Sequence, residues 1–275
     1  MRVDLHIHTT ASDGTSTPQQ VVQKARDYGL KAIAITDHDE VSGIPLAQIE
    51  GESLGVEVIP GIEINTEFEK REVHVLGYFI DYNHAGLQQK LTELKNARLI
   101  RIEKIIKRLN NLGIMVDFNR VKELAGDGSI GRPHIGMALI EKGYIGSVQE
   151  AFNRFIGYGK PAYVPRDKID PLEAVGIIRA AKGVAVLAHP GLAERDHLIP
   201  LLAKKELQGL EVYYPEHNPE MVKKYLALAQ RLALVATGGS DYHGSELVYR
   251  ADLGEVTVAY QVVEDLRRRC PVQKG

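Results

Sequence analysis

Two histidines at alternate positions, His6 and His8, stand in a short apolar run, Asp4-Leu5-His6-Ile7-His8-Thr9. A strand points alternate side chains to one face, so the two imidazoles lie side by side. Asp13 follows in a loop of Thr, Ser and Gly. Two imidazoles and a carboxylate meeting at a strand end can hold a divalent metal. An edge strand with two exposed histidines explains this segment equally well, so the rest of the chain decides.

The same residue types recur where other apolar runs end. Lys31–Thr36 stops at Asp37-His38, Val56–Ile62 at Glu63, and Gly183–Ala188 at His189. Glu211 lies in Gly209–Tyr213, and Leu234–Thr237 leads to Asp241 and His243. His74 lies within its own run, Glu72–Tyr78. A carboxylate closing an apolar run such as Val-Ile-Pro-Gly-Ile-Glu is costly to bury unless it is paired or bound to a metal. Imidazoles with Asp and Glu suit Mn, Fe or Zn alike. The donors outnumber what one tetrahedral ion uses, so two or three divalent ions are expected, with Glu63 shared between two. Ions roughly 3.5–4 Å apart suit in-line displacement at phosphorus: one generates hydroxide and the cluster stabilises the phosphoryl and leaving oxygens. Glu63 and Asp241 then serve catalysis as ligands. His243, or a metal-bound water, is the candidate acid for the leaving oxygen; no Ser or Cys nucleophile is required.

Elements that position these groups follow from the pattern between them. Thr17 caps a helix with Pro18 at its first position, and Gly29 closes it. Strand and helix then alternate through the run ending at Tyr78, as in a parallel α/β sheet or barrel. Active sites of such barrels collect at the C-terminal strand ends. The alternation stops at Leu87–Leu112, a long helical stretch, and further helical segments follow at 121–124, 133–142 and 148–155. Residues 83–159 read as an inserted helical subdomain, flanked by a barrel formed from 1–82 and 160–275. Helix and strand alternate again from Pro171 to Thr237.

The composition is that of an ordinary globular chain: 275 residues, 44% hydrophobic and 25% charged. A formal net charge of −2 advertises no global basic field for nucleic acid. The single cysteine, Cys270, excludes a disulfide framework and argues against thiolate metal ligands. No apolar signal region opens the chain and no run is long enough to span a bilayer, so a cytoplasmic protein without a membrane or an obligate protein partner is expected.

Taken jointly, Asp4–Thr9, Ile35-Thr36-Asp37-His38, Pro60-Gly61-Ile62-Glu63, His74–Tyr78, Leu187-Ala188-His189-Pro190 and Gly239-Ser240-Asp241-Tyr242-His243 resemble the PHP family, named for polymerase and histidinol phosphatase members. The resemblance covers the whole chain. It implies an irregular (β/α)7 TIM-like barrel with a trinuclear metal site at its C-terminal face. By that resemblance His6, His8, Glu63 and Asp241 hold the first ion, Glu63, His74 and His189 the second, and Asp13, His38 and His243 the third. Many members have His where this chain has Asp13, which keeps a ligand but changes its charge.

A helical insertion and the segment Gly131-Arg132-Pro133-His134 further resemble a subgroup that hydrolyses nucleoside 3′,5′-bisphosphates to AMP and phosphate and degrades short RNA from the 5′ end. That resemblance implies a small nucleotide or RNA 5′ end as substrate. A pocket holding a terminal 5′-phosphate can place either the 3′-phosphate or the first phosphodiester over the metals. Arg132 can hold a phosphate bidentately, with His134 beside it. Arg98, Arg101, Lys160 and His217 are further candidate contacts. Asp37 and Glu211 either orient ligands or serve the local fold. Two rivals stand: another PHP phosphatase, acting on a monoester like histidinol phosphate, and a non-catalytic metal- or nucleic-acid-binding module.

Overall fold

The computed structural model describes residues 1–126, 130–165, 169–244 and 251–271. The chain forms two compact units, one of 1–89 with 168–275 and the other of 90–167. The boundaries differ from those expected for the insert. Ala162 and Val164 are buried in the core of the second unit, which draws the segment after residue 159 into it.

The first unit is an eight-stranded sheet rolled into a nearly closed barrel, in the order β7-β6-β5-β4-β3-β2-β1-β8. The strands are β1 (Arg2–Asp4), β2 (Ala32–Ile35), β3 (Glu57–Phe68), β4 (Arg71–Tyr78), β5 (Val184–Leu187), β6 (Gly209–Tyr213), β7 (Val235–Gly238) and β8 (Val258–Ala259). Past β1 and β7 the chain closes the barrel: Ile7 bridges Tyr242 in parallel. His8 N–H donates to Tyr242 O at 2.8 Å and Tyr242 N–H to His6 O at 3.3 Å. The short runs Ala-Ile-Ala-Ile of β2 and Val-Ala-Val-Leu of β5 are buried throughout, as strands covered on both faces must be.

Helices α1 (Pro18–Asp27), α2 (Gly43–Leu54), α7 (Pro171–Ala180), α8 (Pro190–Ala193), α9 (Leu198–Ala203), α10 (Pro219–Arg231) and α11 (Gln261–Arg267) belong to this unit. The start of α1 follows its sequence: Thr17 and Gln20 form a reciprocal capping box, Pro18 occupies the first turn, and Val21, Val22 and Ala25 are buried. Inside the barrel, Val3, Leu5, Ala34, Ile59, Leu76, Tyr78 and Val186 share one core, each large side chain contributing about 1.5–3 kcal/mol by leaving water.

One expectation is corrected. The fourth strand is antiparallel to both neighbours, pairing Glu63 with Leu76 and Val75 with Leu187. Only Glu69 and Lys70 separate β3 from β4, both at positive φ. So short a link makes a hairpin, because a parallel return needs a crossover of a dozen or more residues. The reversal explains why His74 lies in the first half of its strand: that half faces the end of the barrel where the other strands finish.

The second unit holds most of α3 (Ala85–Asn111) with α4 (Phe118–Ala125), α5 (Arg132–Glu141), α6 (Val148–Ala151) and a π-helical turn at Phe152–Ile156. Ile102, Ile105, Leu109, Val121, Ile135 and Leu139 form its core. Among the described residues no helix is long and apolar enough to cross a membrane.

Candidate metal centre

Six chain segments bring their polar ends to one place. His6 and His8 come from the extension of β1, His38 follows β2, Glu63 lies in β3, His74 in β4, His189 follows β5, and Asp241 and His243 follow β7. Three groups of donors result, each with its ligand atoms mutually within 4.8 Å: His6, His8, Glu63 and Asp241; His38, Glu63 and His74; and His8, Asp13, His38 and His243.

The first group is the tightest. His6 Nε2 lies 3.3 Å from Glu63 Oε2 and 3.4 Å from Asp241 Oδ1; His8 Nε2 lies 3.2 and 3.1 Å from the same atoms. Tetrahedral ligands at metal distances of about 2.0–2.1 Å stand about 3.3 Å apart, so these spacings suit a common ion. Burial supports the fit. His6 Nε2, His8 Nε2 and Glu63 Oε2 are buried side-chain atoms with no hydrogen-bond partner among the described residues, and an unpartnered buried polar group is expensive. Around the other Glu63 oxygen, Oε1, His74 Nδ1 stands at 2.9 Å and His189 Nε2 at 3.1 Å. Glu63 therefore has the geometry of a carboxylate shared by two positions. The third group is looser: Asp13 lies 3.3 Å from His243 Nε2, 3.8 Å from His8 Nδ1 and 4.0 Å from His38 Nε2.

The electrostatics match a place that exchanges protons for cations. Burial would raise the Glu63 carboxyl, but His38, His74 and His6 hold it well below its ordinary value. Asp241 is likewise lowered by His6 and His243, and Asp13 by His243 and His38, each against burial. Burial opposes charge on His8, yet the Asp241 and Glu63 carboxylates raise it to about 9. His38 behaves oppositely: burial outweighs Glu63 and Asp13 and lowers it to about 4. Metal binding requires deprotonated ligands and so displaces protons held this way.

Buried carboxylates and a hydroxyl orient the donors. Glu211 Oε1 lies 2.9 Å from His6 Nδ1, and its Oε2 accepts the His189 N–H at 2.8 Å. Asp37 accepts from Thr9 N–H, the Thr9 hydroxyl and the Ser12 hydroxyl, fixing the loop that carries Asp13. Tyr214 donates its hydroxyl to Asp241 Oδ2 at 2.9 Å, leaving Oδ1 toward the histidines. Asp4 is the residue sequence reasoning missed. It accepts from Ser240 N–H at 2.9 Å, the Ser240 hydroxyl at 2.6 Å and Gly254 N–H at 2.9 Å, so it ties the Asp241 loop to β1. A carboxylate inside the apolar run Val3-Asp4-Leu5 was the available signal, since such a group is buried only with partners. His189 and Asp241 both hold positive φ, 22° and 52°. Strain of this kind persists only where surroundings enforce it and clusters at functional sites.

A cavity of about 240 Å³ opens onto these groups, lined by His38, Glu63, His74, His189, Tyr214 and Asp241 among others. His243 is buried within the third group, with Nδ1 2.8 Å from Asp241 O, and is not among the lining residues. Its placement therefore favours a ligand over an acid.

The expected substrate contacts fall differently. His217 is buried: Nδ1 lies 2.9 Å from Val212 O, and Nε2 accepts the Gly191 N–H at 3.2 Å. Both nitrogens are spent on backbone, so the expectation of a substrate contact gives way to a strut bracing the His189 turn. In the second unit, Arg132 occupies the first turn of α5 with its guanidinium 4.9 Å from the Phe152 ring centroid. His134 Nδ1 accepts the Gly131 N–H at 3.0 Å, closing the start of that helix. Arg101 is buried and donates to Val164 O at 2.9 Å. Arg98 is half-buried and Lys160 exposed.

The family description "PHP domain" matches residues 4–243. A 5′-3′ exoribonuclease of Salmonella typhimurium is 33% identical over 247 residues, covering 87% of this chain and 84% of that protein. A phosphoribosyl 1,2-cyclic phosphate 1,2-diphosphodiesterase of Eggerthella lenta is 34% identical over 246 residues, covering 88% and 94%. A 3′,5′-nucleoside bisphosphate phosphatase of Chromobacterium violaceum is 30% identical over 247 residues, covering 88% and 87%. The crystal structure described as a metal-dependent phosphoesterase from Bifidobacterium adolescentis matches with a TM-score of 0.89 at 30% identity, over 98% of this chain and 97% of that one.

Proposed function

This chain belongs to the PHP family of metal-dependent phosphoesterases, and from that premise we propose that it removes the 3′-phosphate of nucleoside 3′,5′-bisphosphates and cleaves short RNA from its 5′ end. The observation that carries the hydrolytic reading is Glu63. One buried carboxylate faces His6 and His8 through Oε2, and His74 and His189 through Oε1. In this reading His6, His8, Glu63 and Asp241 hold the first ion, Glu63, His74 and His189 the second, and Asp13, His38 and His243 the third. Mn, Fe and Zn all suit this donor set.

Divalent ions bound here supply an activated water and Lewis acidity toward the phosphoryl oxygens. The chain's own residues do the rest. Glu211, Tyr214 and Asp4 fix the donors before substrate arrives, so no reorganisation is needed as charge develops. Placement of the donors on strand ends and on loops braced by Asp37 and His217 keeps the reacting centre rigid. The cavity, at about 240 Å³, is below the ~300–1,000 Å³ of pockets for drug-sized ligands; it admits a phosphoryl group and part of a sugar. Arg132 is the residue we assign to the substrate's 5′-phosphate. Relatives named for RNA and for a nucleoside bisphosphate support the substrate class.

A second reading has one specific support, the Eggerthella relative named for a phosphoribosyl cyclic phosphate. Hydrolysis assays with Mn²⁺-loaded protein separate the two. Adenosine 3′,5′-bisphosphate yielding AMP and phosphate, together with preference for a 5′-phosphorylated dinucleotide over its 5′-hydroxyl form, is the expected result. Turnover only of the phosphoribosyl cyclic phosphate, or of histidinol phosphate, would refute the substrate assignment and leave the metal centre standing.

A further inference from the structure

Glu211 sits in β6 with no exposed surface, and its two oxygens serve different masters. One lies 2.9 Å from His6 Nδ1 and the other accepts the His189 N–H at 2.8 Å. His6 belongs to the first donor group, and His189 Nε2 stands 3.1 Å from Glu63 Oε1, the oxygen that His74 Nδ1 approaches at 2.9 Å. We propose that Glu211 is a positioning residue that couples the first and second metal positions, an inference that rests on the metal reading above.

Two effects carry the coupling. An Nδ1–H donated to Glu211 fixes the His6 tautomer that leaves the Nε2 lone pair toward Glu63 and Asp241, 3.3 and 3.4 Å away. The bond to the His189 N–H helps hold a backbone at φ 22°, ψ 62°, which a non-glycine residue adopts only under restraint. Both partners are donors, so both need an acceptor. A carboxylate offers two, whereas the isosteric amide of Glu211→Gln offers one acceptor and one donor. That variant keeps the volume and forces a donor against either His6 or the His189 N–H. Because the same side chain spans the two contacts, relief at one is strain at the other.

The test uses the full chain, stripped of metal and titrated with Mn²⁺, with bound ions counted by equilibrium dialysis. Wild type is expected to fill at least two positions. Glu211→Gln is expected to weaken both together, each by roughly 10–100-fold, the usual cost of losing a group that orients a ligand. His74→Ala, in contrast, weakens one position and spares the other. A folded Glu211→Gln with unchanged affinities, or with only one position weakened, overturns the coupling and leaves the metal centre intact. A purely structural role would lower the melting temperature of the metal-free protein and leave both affinities alone. A wild-type chain that binds no Mn²⁺ overturns the metal reading itself. Should the variant not fold, ¹⁵N NMR of Zn²⁺-loaded wild type decides: an Nδ1–H tautomer at His6 supports the proposal, and an Nε2–H tautomer refutes it.

Discussion

Replacing Gly239 with alanine isolates the close packing behind the metal centre. A β-carbon at Gly239 would lie 2.4 Å from His6 N, 2.5 Å from His6 Cβ and 3.0 Å from Asp4 Oδ1. Ordinary contact begins near 3.4 Å, so the Gly239 loop and β1 must part by about 1 Å. The strain falls on backbone and on Cβ, neither of which can swing aside. Parting them lengthens the Ser240-to-Asp4 bonds, now 2.9 and 2.6 Å, and the closure bonds between the extensions of β1 and β7. Overpacking of this kind costs about 1–3 kcal/mol, and one weakened buried hydrogen bond adds about 1 kcal/mol. A total near 3 kcal/mol corresponds to a melting temperature lower by roughly 6–12 °C. The same movement displaces His6 beyond the ~0.5 Å tolerance of a preorganised site, so bound metal should fall as well. Calorimetry with metal analysis is the assay, with Gly176→Ala as comparator. Gly176 is exposed in α7 with nothing within 4 Å of its added carbon, and alanine there should be neutral or stabilising by up to about 1 kcal/mol. A Gly239→Ala protein with wild-type melting temperature and metal content would refute the reasoning.

Four further outcomes are expected. Arg132→Ala should raise KM for adenosine 3′,5′-bisphosphate by roughly 10-fold or more, the worth of a charged hydrogen bond, with less effect on a substrate lacking the 5′-phosphate; equal effects on both would remove Arg132 from that role. In chelator-treated protein, His8 is held at about 9 against an ordinary value of 6.5. Its contribution is full below about pH 6.5 and is lost as pH rises through 9, so the unfolding free energy from urea titration should fall over that window, by on the order of 3 kcal/mol; a flat or rising value contradicts this. Metal-loaded protein should lack that fall, because the ions replace the protons, and Mn²⁺ affinity measured at pH 6 and pH 8 should be weaker at the lower pH. His217→Ala should lower the melting temperature and kcat together while leaving KM unchanged, since it braces the His189 turn and touches no substrate; a change in KM alone would return it to the pocket.

The parts legible in the sequence are those with a period or a chemical cost attached. His6 and His8 alternate, Glu63 closes an apolar run, and His189 and Asp241 follow runs too apolar to end on such groups by chance. Their meeting follows from strands that finish at one end of the barrel. The antiparallel fourth strand was not legible, because its hairpin turn is Glu69-Lys70 and carries none of the Asn-Gly chemistry that usually marks positive φ. The eighth strand, at two residues, has no period at all. Tertiary pairing decided the rest: His217 reads as a candidate substrate contact until Val212 and Gly191 engage both its nitrogens. Asp4 reads as a strand start until Ser240 and Gly254, far along the chain, supply its donors.

The central claim is that a shared carboxylate assembles the ions that hydrolyse phosphate esters. It is tested most directly by stripping metal from wild type and Glu63→Gln, restoring Mn²⁺, and measuring phosphate released from adenosine 3′,5′-bisphosphate alongside ions bound per chain. The account predicts that wild type recovers activity as two or more ions bind, and that Glu63→Gln recovers neither. Full activity in the stripped wild type, or a Glu63→Gln chain that regains both ions and turnover, would contradict it.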